Sequence, residues 1–455
     1  MFLHSKYLSS ETTKQKGKLM FKRSFSLSWL STRAVLISIM LVASAFVWYA
    51  TILFTLMDVI GSVGQSSLFT QEAQILLWII HFSGVIFSAL LGSFLSRKIE
   101  RTKFLTIWIT LSVVSSLMLF LLNTSSFLIL SLLVLLLGIS LGIGMPAGMS
   151  YFSNYIPVEK RGRIGGVTLF ISGIGIFFFA VLPLTDALFL GALLAVWRLL
   201  CLVVFVAFKS PLKTLSTENF SSYKSIVGRQ SFLTYFVPWT MFSLINYLAA
   251  PLIPTGDSSN VLFLIKTAFL GVFAVVGGLL MDSFGRKRIT IAGFAMLGLS
   301  SAILGFLGDQ GLYFSSVLEG AAWGILLSLF LLILWGDLSH GNSTEKYYAI
   351  GVAPFFISKL LELTVGNFVS SRLLAANSLF TFTTFFLFLA ILPLVYAPET
   401  LPEKVMKDRD LKSYVENAQK KAQKESSTEN RKKKPRDTKD SEKYEDAVKL
   451  AEKYY

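Results

Sequence analysis

Along this chain, apolar residues gather into runs parted by short polar breaks, from residue 34 to residue 396. The runs are about twenty residues long, enough for each to cross the roughly 30 Å hydrocarbon core of a bilayer as an α-helix. Helices suit that setting because their backbone hydrogen bonds all close within the segment. The pattern predicts six spans in a first half, at about 34–58, 74–95, 104–122, 127–149, 164–184 and 187–208. It predicts six more at about 232–253, 261–281, 289–307, 312–335, 349–373 and 379–396. A polar stretch at 209–230, with Pro211 and several Ser and Lys residues, separates the two sets. The expected fold class is an all-α membrane protein with twelve transmembrane helices in two six-helix halves.

Composition agrees: of 455 residues, 53% are hydrophobic and 15% charged, which excludes a stack of soluble domains. A net charge of +15 would suggest nucleic acid in a soluble protein, but here the basic residues sit in the tails and in alternate loops. Arg97, Lys98, Arg101 and Lys103 fall between spans two and three, and Lys160, Arg161 and Arg163 between four and five. Lys209, Lys213, Lys224 and Arg229 lie between six and seven, Arg286, Lys287 and Arg288 between eight and nine, and Lys346 between ten and eleven. The other loops contain no Lys or Arg. Positive charge is retained on the cytoplasmic side, so an even number of spans with both termini cytoplasmic follows.

The organisation is thus a basic cytoplasmic lead (1–33), a first six-helix half (34–208), a cytoplasmic central loop (209–230), a second half (231–397) and a charged cytoplasmic tail (398–455). The lead carries Lys14, Lys16, Lys18, Lys22, Arg23 and Arg33, and the run behind it is too long for a signal peptide. The tail's cluster at Arg431, Lys432, Lys433, Lys434 and Arg436 is a candidate for contact with anionic headgroups. The single cysteine, Cys201, excludes a disulfide or a cysteine-based metal site within the chain.

The most specific short motif is Gly278-Leu279-Leu280-Met281-Asp282-Ser283-Phe284-Gly285-Arg286-Lys287-Arg288, at the end of span eight. A glycine on the helix permits close packing, Asp282 at the membrane edge can pair with a cation or cap a helix, and Gly285 permits a tight turn. A weaker copy, Gly92-Ser93-Phe94-Leu95-Ser96-Arg97-Lys98-Ile99-Glu100-Arg101, follows span two, with Ser96 at the aspartate's place and Ile99 at the turn glycine's. The pair resembles the loop signature of the major facilitator superfamily (MFS). The stretch Pro157-Val158-Glu159-Lys160-Arg161-Gly162-Arg163 and Pro398-Glu399-Thr400 are distantly similar to the sugar-porter-like members. Span seven, with Trp239, Asn246 and Tyr247, lacks the glutamine pair of sugar binding. The resemblance implies a secondary transporter working by alternating access, with Asp282, Gly285, Arg286, Arg97, Arg101 and Arg161 in gating loops.

Ionisable groups inside spans are costly and face a cavity or each other. Counting 1.5 Å per residue puts Lys266 and Glu319 about 10 Å deep, with Glu362 at a similar level and Lys359 one turn lower. These four are the candidates for substrate or ion coupling, with Asn246 and Tyr247 beside them. A permanent structural ion-pair cluster is the alternative. Asp58, His81 and Arg198 are secondary candidates: Asp58 reads as a solvated helix-end carboxylate, His81 as a hydrogen-bonded core histidine, and Arg198 as needing an internal partner. Trp48, Tyr49, Trp239 and Trp323 are possible cavity walls among otherwise packing aromatics.

The expected partners are a small-molecule substrate, a coupling proton and the bilayer, with no nucleic acid, no cofactor, no metal and a monomeric state. The expected location is the cell membrane. No phosphate-binding Gly-x-x-x-x-Gly-Lys-Ser/Thr sequence is present, so energy would come from a gradient. Two other classes stay open: a transport-inactive sensor signalling through the tail, and a lipid-modifying enzyme, for which three scattered histidines are a poor ligand set.

Overall fold

The computed structural model describes residues 33–63, 70–123, 126–182, 186–208, 221–249, 257–365 and 376–402, and of residues 62–63, 123, 246–249, 257–260 and 376–378 the backbone alone. The basic lead up to residue 32 and the tail from 403 on lie outside the described residues. The spans belong to one compact unit ending at Thr400.

Span 1 is Arg33–Val63, span 2 Gln71–Lys98, span 3 Arg101–Leu117, span 5 Arg161–Val181 and span 6 Ala187–Phe208. Span 4 comes in two pieces, Phe127–Gly142 and Met145–Tyr155. A short helix, Tyr223–Val227, precedes span 7 (Gln230–Ala249). Span 8 is Asp257–Phe284 and span 9 Arg286–Leu307. Span 10 runs from Leu312–Leu327 through a π-helical segment, Ser328–Ile333, to Leu334–Leu338. Span 11 combines Thr344–Gly351 and Ala353–Thr364, and span 12 Ala376–Leu389 and Ile391–Tyr396. Among the described residues nine segments are long and apolar enough to cross a membrane, and one of them, Arg286–Leu338, holds spans 9 and 10. Spans 7 and 11 complete the twelve.

The ends depart from expectation where packing, not hydropathy, decides. Span 11 begins at Thr344, five residues before the apolar run, because Glu345, Tyr347 and Tyr348 are buried there. The break in span 4 places Pro146 in the first turn of the second piece, where a missing N–H does no harm. The indole of Trp108 donates to the Ser140 carbonyl at 2.8 Å near that break. The π segment of span 10 is held by two side-chain donors, Trp335 Nε1 to the Phe330 carbonyl and Tyr348 Oη to the Leu332 carbonyl, each at 2.5 Å. Such segments leave carbonyls free of regular partners, and these two donors satisfy them.

Spans 5 and 8 join the halves through small residues. Gly162 and Gly166 face Gly278 and Ala274 so closely that a Cβ at Gly166 would lie 2.9 Å from the Ala274 carbonyl carbon. Close backbone approach of this kind is the main attraction open to helices in lipid, where burial gains nothing over the acyl chains. Gly166→Val is therefore expected to lower stability by ~1–3 kcal/mol. Gly173→Ala on the same span, with open space around it, should be neutral. Thermal unfolding of the purified chain in detergent compares the two; equal midpoints would contradict the packing role.

Candidate functional site

The cavity of interest has a volume of about 340 Å³ and is walled by spans 7 to 12. Lys266 comes from span 8, Glu319 and Trp323 from span 10, and Lys359 and Glu362 from span 11. Their meeting has a local cause: span 10 presents Gly320 to span 8, and a Cβ there would lie 3.0 Å from the Lys266 Cα. That approach sets the Lys266 ammonium on the Glu319 carboxylate. Trp323 Nε1 donates to the same carboxylate at 3.3 Å, and the ammonium lies 5.8 Å from the Trp323 ring centroid. One turn of span 11 pairs Lys359 with Glu362 at 2.7 Å.

All four charged side chains keep between 20% and 29% of their surface exposed, so they face the cavity. The remaining wall is mixed. Phe242, Phe355, Phe380, Leu270 and Leu297 supply apolar surface, and Ser243 and Thr383 supply hydroxyls that are buried without a partner among the described residues. The structure thus brings Lys266, Glu319, Glu362 and Lys359, the last counted one turn below the other three, to one cavity, but as two separate pairs. The side chains of Asn246 and Tyr247 lie outside the described residues.

A second set of charges ties the two halves at the end of the bundle that carries the basic loops. Asp282 is fully buried and accepts from the Gly162 and Arg163 backbone N–H groups at 2.8 and 2.9 Å, and from Arg163 Nε at 3.2 Å. It therefore caps the start of span 5 from span 8, where the helix dipole favours an anion. Arg161 reaches from span 5 to Asp337 of span 10 and also donates to the Ser153 and Ile156 carbonyls. Arg286 pairs with Asp337 and, at 3.7 Å, with Asp282. Glu399 caps span 9 in turn, accepting from the Arg286 and Lys287 backbone N–H groups at 2.8 and 3.2 Å. Gly285 makes that cap possible: its φ of +97° suits glycine, and a Cβ would lie 2.5 Å from the Glu399 carboxylate.

A parallel post stands beside this lattice. Arg101 at the start of span 3 pairs with Glu345 of span 11, which also accepts from the Ser150 hydroxyl at 3.0 Å. Tyr223, before span 7, meets Ser93 of the first loop copy and donates to the Leu90 carbonyl at 3.1 Å. Burial raises its phenol above the ordinary value, which keeps it a neutral donor. Arg97 lies half-buried at the end of span 2 on the same side. At the place equivalent to Asp282, Ser96 is buried and turns back to the Ser93 carbonyl at 3.4 Å. The first copy therefore places no carboxylate at that position, and its one acid, Glu100, pairs with Lys103 at 3.0 Å instead.

The secondary candidates separate. Asp58 is exposed near the end of span 1. His81 is fully buried, its Nδ1 3.0 Å from the Val134 carbonyl and its Nε2 3.3 Å from the Tyr49 hydroxyl. Arg198 finds internal partners that its sequence position did not reveal. It donates to the Ser44 and Ser112 hydroxyls at 2.8 and 3.2 Å and lies 5.7 and 5.1 Å from the rings of Trp48 and Trp108. Of the aromatic candidates, Trp323 lines the cavity. Trp239 instead stacks on Phe330 at 4.6 Å, and Trp48 donates to Ser116 at 2.7 Å.

Asp337 and Glu345 were not anticipated as site residues, and Glu399 entered only as part of a motif. The available signal was their sign: each is an acid next to a loop set otherwise basic, and so a candidate counter-charge across the halves.

Two six-helix halves are thus joined by a charge lattice at one end, and the second half alone walls the cavity. A family model described as Major Facilitator Superfamily matches residues 3–180. The fold is shared with three solved transporters at low identity. The human organic anion transporter MFSD10 (TETRAN) has a TM-score of 0.60 at 15% identity, covering 80% of this chain and 99% of the other. The proton:xylose symporter XylE bound to 6-bromo-6-deoxy-D-glucose has 0.62 at 15%, covering 81% and 96%. FucP in the outward conformation has 0.61 at 12%, covering 80% and 99%. No curated protein sequence matches the chain.

Proposed function

We propose that this chain is a secondary active transporter that carries a small solute across the cell membrane by alternating access, coupled to protons. The observation that carries this reading is the cavity with two Lys–Glu pairs facing its interior. Ion pairs inside a membrane are poor net stabilisers, so charges that remain open to a cavity are better explained by something they bind. On this reading the lattice end is cytoplasmic, and the structure is a state closed on that side. Rocking of the halves would break the Arg161–Asp337 and Asp282 contacts and open the cavity to the cytoplasm.

Glu319 and Glu362 are the proposed proton carriers, each paired with a lysine and facing a cavity through which a proton arrives. One of the three neighbours is a proton symporter, which agrees with such coupling but does not determine it here. Reconstituted in proteoliposomes with an acid-outside gradient and a panel of labelled sugars, organic acids and amino acids, the chain should accumulate at least one solute. Glu319→Gln should abolish accumulation driven by the proton gradient while leaving exchange of that solute intact, and Glu362→Gln should abolish that accumulation as well. Unchanged coupling in both variants would overturn the proton assignment.

A further inference from the structure

The two ion pairs of the cavity are not equivalent. Glu319 is held from two sides, by Lys266 across the span 8 to span 10 contact and by the Trp323 indole. Lys359 and Glu362 are three residues apart on one helix and have no other partner among the described residues. A pair of this local kind is weak and opens easily, since no second helix holds it together. It is also the pair with both charges ready to be handed to a ligand.

The charge balance decides which ligand. An anion taking Lys359 would leave the Glu362 carboxylate uncompensated in a low-dielectric wall, and a cation taking Glu362 would do the same to Lys359. A molecule bearing both charges replaces the pair without bringing net charge into the membrane. The rest of the wall fits an apolar body between Phe355, Phe380 and Trp323, and the buried Ser243 and Thr383 hydroxyls add polar capacity. At about 340 Å³ the cavity lies toward the small end of ligand sites.

We propose that the solute is a small zwitterion with a bulky apolar or aromatic body, of the free amino acid type, its carboxylate on Lys359 and its ammonium on Glu362. The proposal deepens the transport reading and rests on it for its purpose, but binding at equilibrium tests it without flux.

Three probes share one body and differ in charge: L-phenylalanine, 3-phenylpropionate and 2-phenylethylamine. Titrated into the full chain in lipid nanodiscs and followed by calorimetry, phenylalanine should bind at least tenfold tighter than either singly charged probe. Lys359→Met should reverse the order in favour of phenylethylamine, and Glu362→Gln in favour of phenylpropionate. This crossed change of preference cannot come from misfolding, which would lower all three together. Binding of phenylpropionate as tight as phenylalanine, tightening further as pH falls, would overturn the proposal in favour of an anion taken with a proton. Absence of binding by all three probes would overturn it as well. Crossed preference without any flux in proteoliposomes would leave the site assignment standing and remove the transport reading.

Discussion

Replacing Asp337 by asparagine should open the basic end of the bundle, making the cavity reachable from that side at least tenfold faster than in the wild type. Asp337 is 4% exposed and stands between Arg161 of the first half and Arg286 of the second. Without its charge, two buried guanidinium groups face each other across the interface, Arg286 keeping Asp282 and the Val158 carbonyl and Arg161 keeping the Ser153 and Ile156 carbonyls. Removing one partner from a buried charge cluster typically costs ~3–5 kcal/mol. Opening the interface lets water solvate both arginines, so the loss falls on the closed arrangement. If even about 1.4 kcal/mol of it appears as a shift between states, the open population rises tenfold. The readout is a thiol at Ser301, which lines the cavity, in a chain whose single cysteine is removed (Cys201→Ser, Ser301→Cys). An impermeant maleimide applied to membrane vesicles of each orientation should label the Asp337→Asn form faster from the lattice side. Thr400→Val, which removes only a neutral 3.4 Å contact to Asp337, should label like the parent. Equal rates for Asp337→Asn and parent would rule out the lattice as a lock.

The spans were legible because run length is all that a bilayer demands, and ten of the twelve follow from hydropathy even within the described residues. The internal breaks were not. Hydropathy counts Ser328–Ile333 as apolar helix whether it winds as α or π, and the difference lies in two donors, Trp335 and the more distant Tyr348. The cavity charges were readable because depth along a straight helix is arithmetic: counting from the loops put Lys266 and Glu319 at one level. Which lysine serves which carboxylate depended on rotation about the helix axis, which the contact at Gly320 fixes. The lattice was half legible. Asp282 and Gly285 announced themselves through their motif. Asp337 and Glu345 sit at span ends where a solvated carboxylate and one buried against the opposite half look alike in sequence.

The Lys266–Glu319 pair should behave as a unit, and Lys266→Met should be more harmful alone than together with Glu319→Gln. The lysine is the carboxylate's main support, and once it is gone the Trp323 indole alone donates to Glu319 in a wall that is largely apolar. Because both side chains keep a view of the cavity, water softens the loss, and ~1–2 kcal/mol is expected for the single change, below the range for sealed pairs. Neutralising Glu319 as well removes the uncompensated charge, and a glutamine can still accept from the indole. Stability should then return to within about 0.5 kcal/mol of the parent, leaving a coupling energy of at least ~0.5 kcal/mol between the sites. Thermal unfolding midpoints of the four chains in one detergent measure it. Losses that simply add would mean that the two side chains do not depend on each other. Flux supplies the second half of the argument. The double variant regains its fold but has lost a proton site, so proteoliposomes containing it should exchange solute without accumulating it against an imposed gradient. A double variant that accumulates solute as the parent does would assign the proton to Glu362.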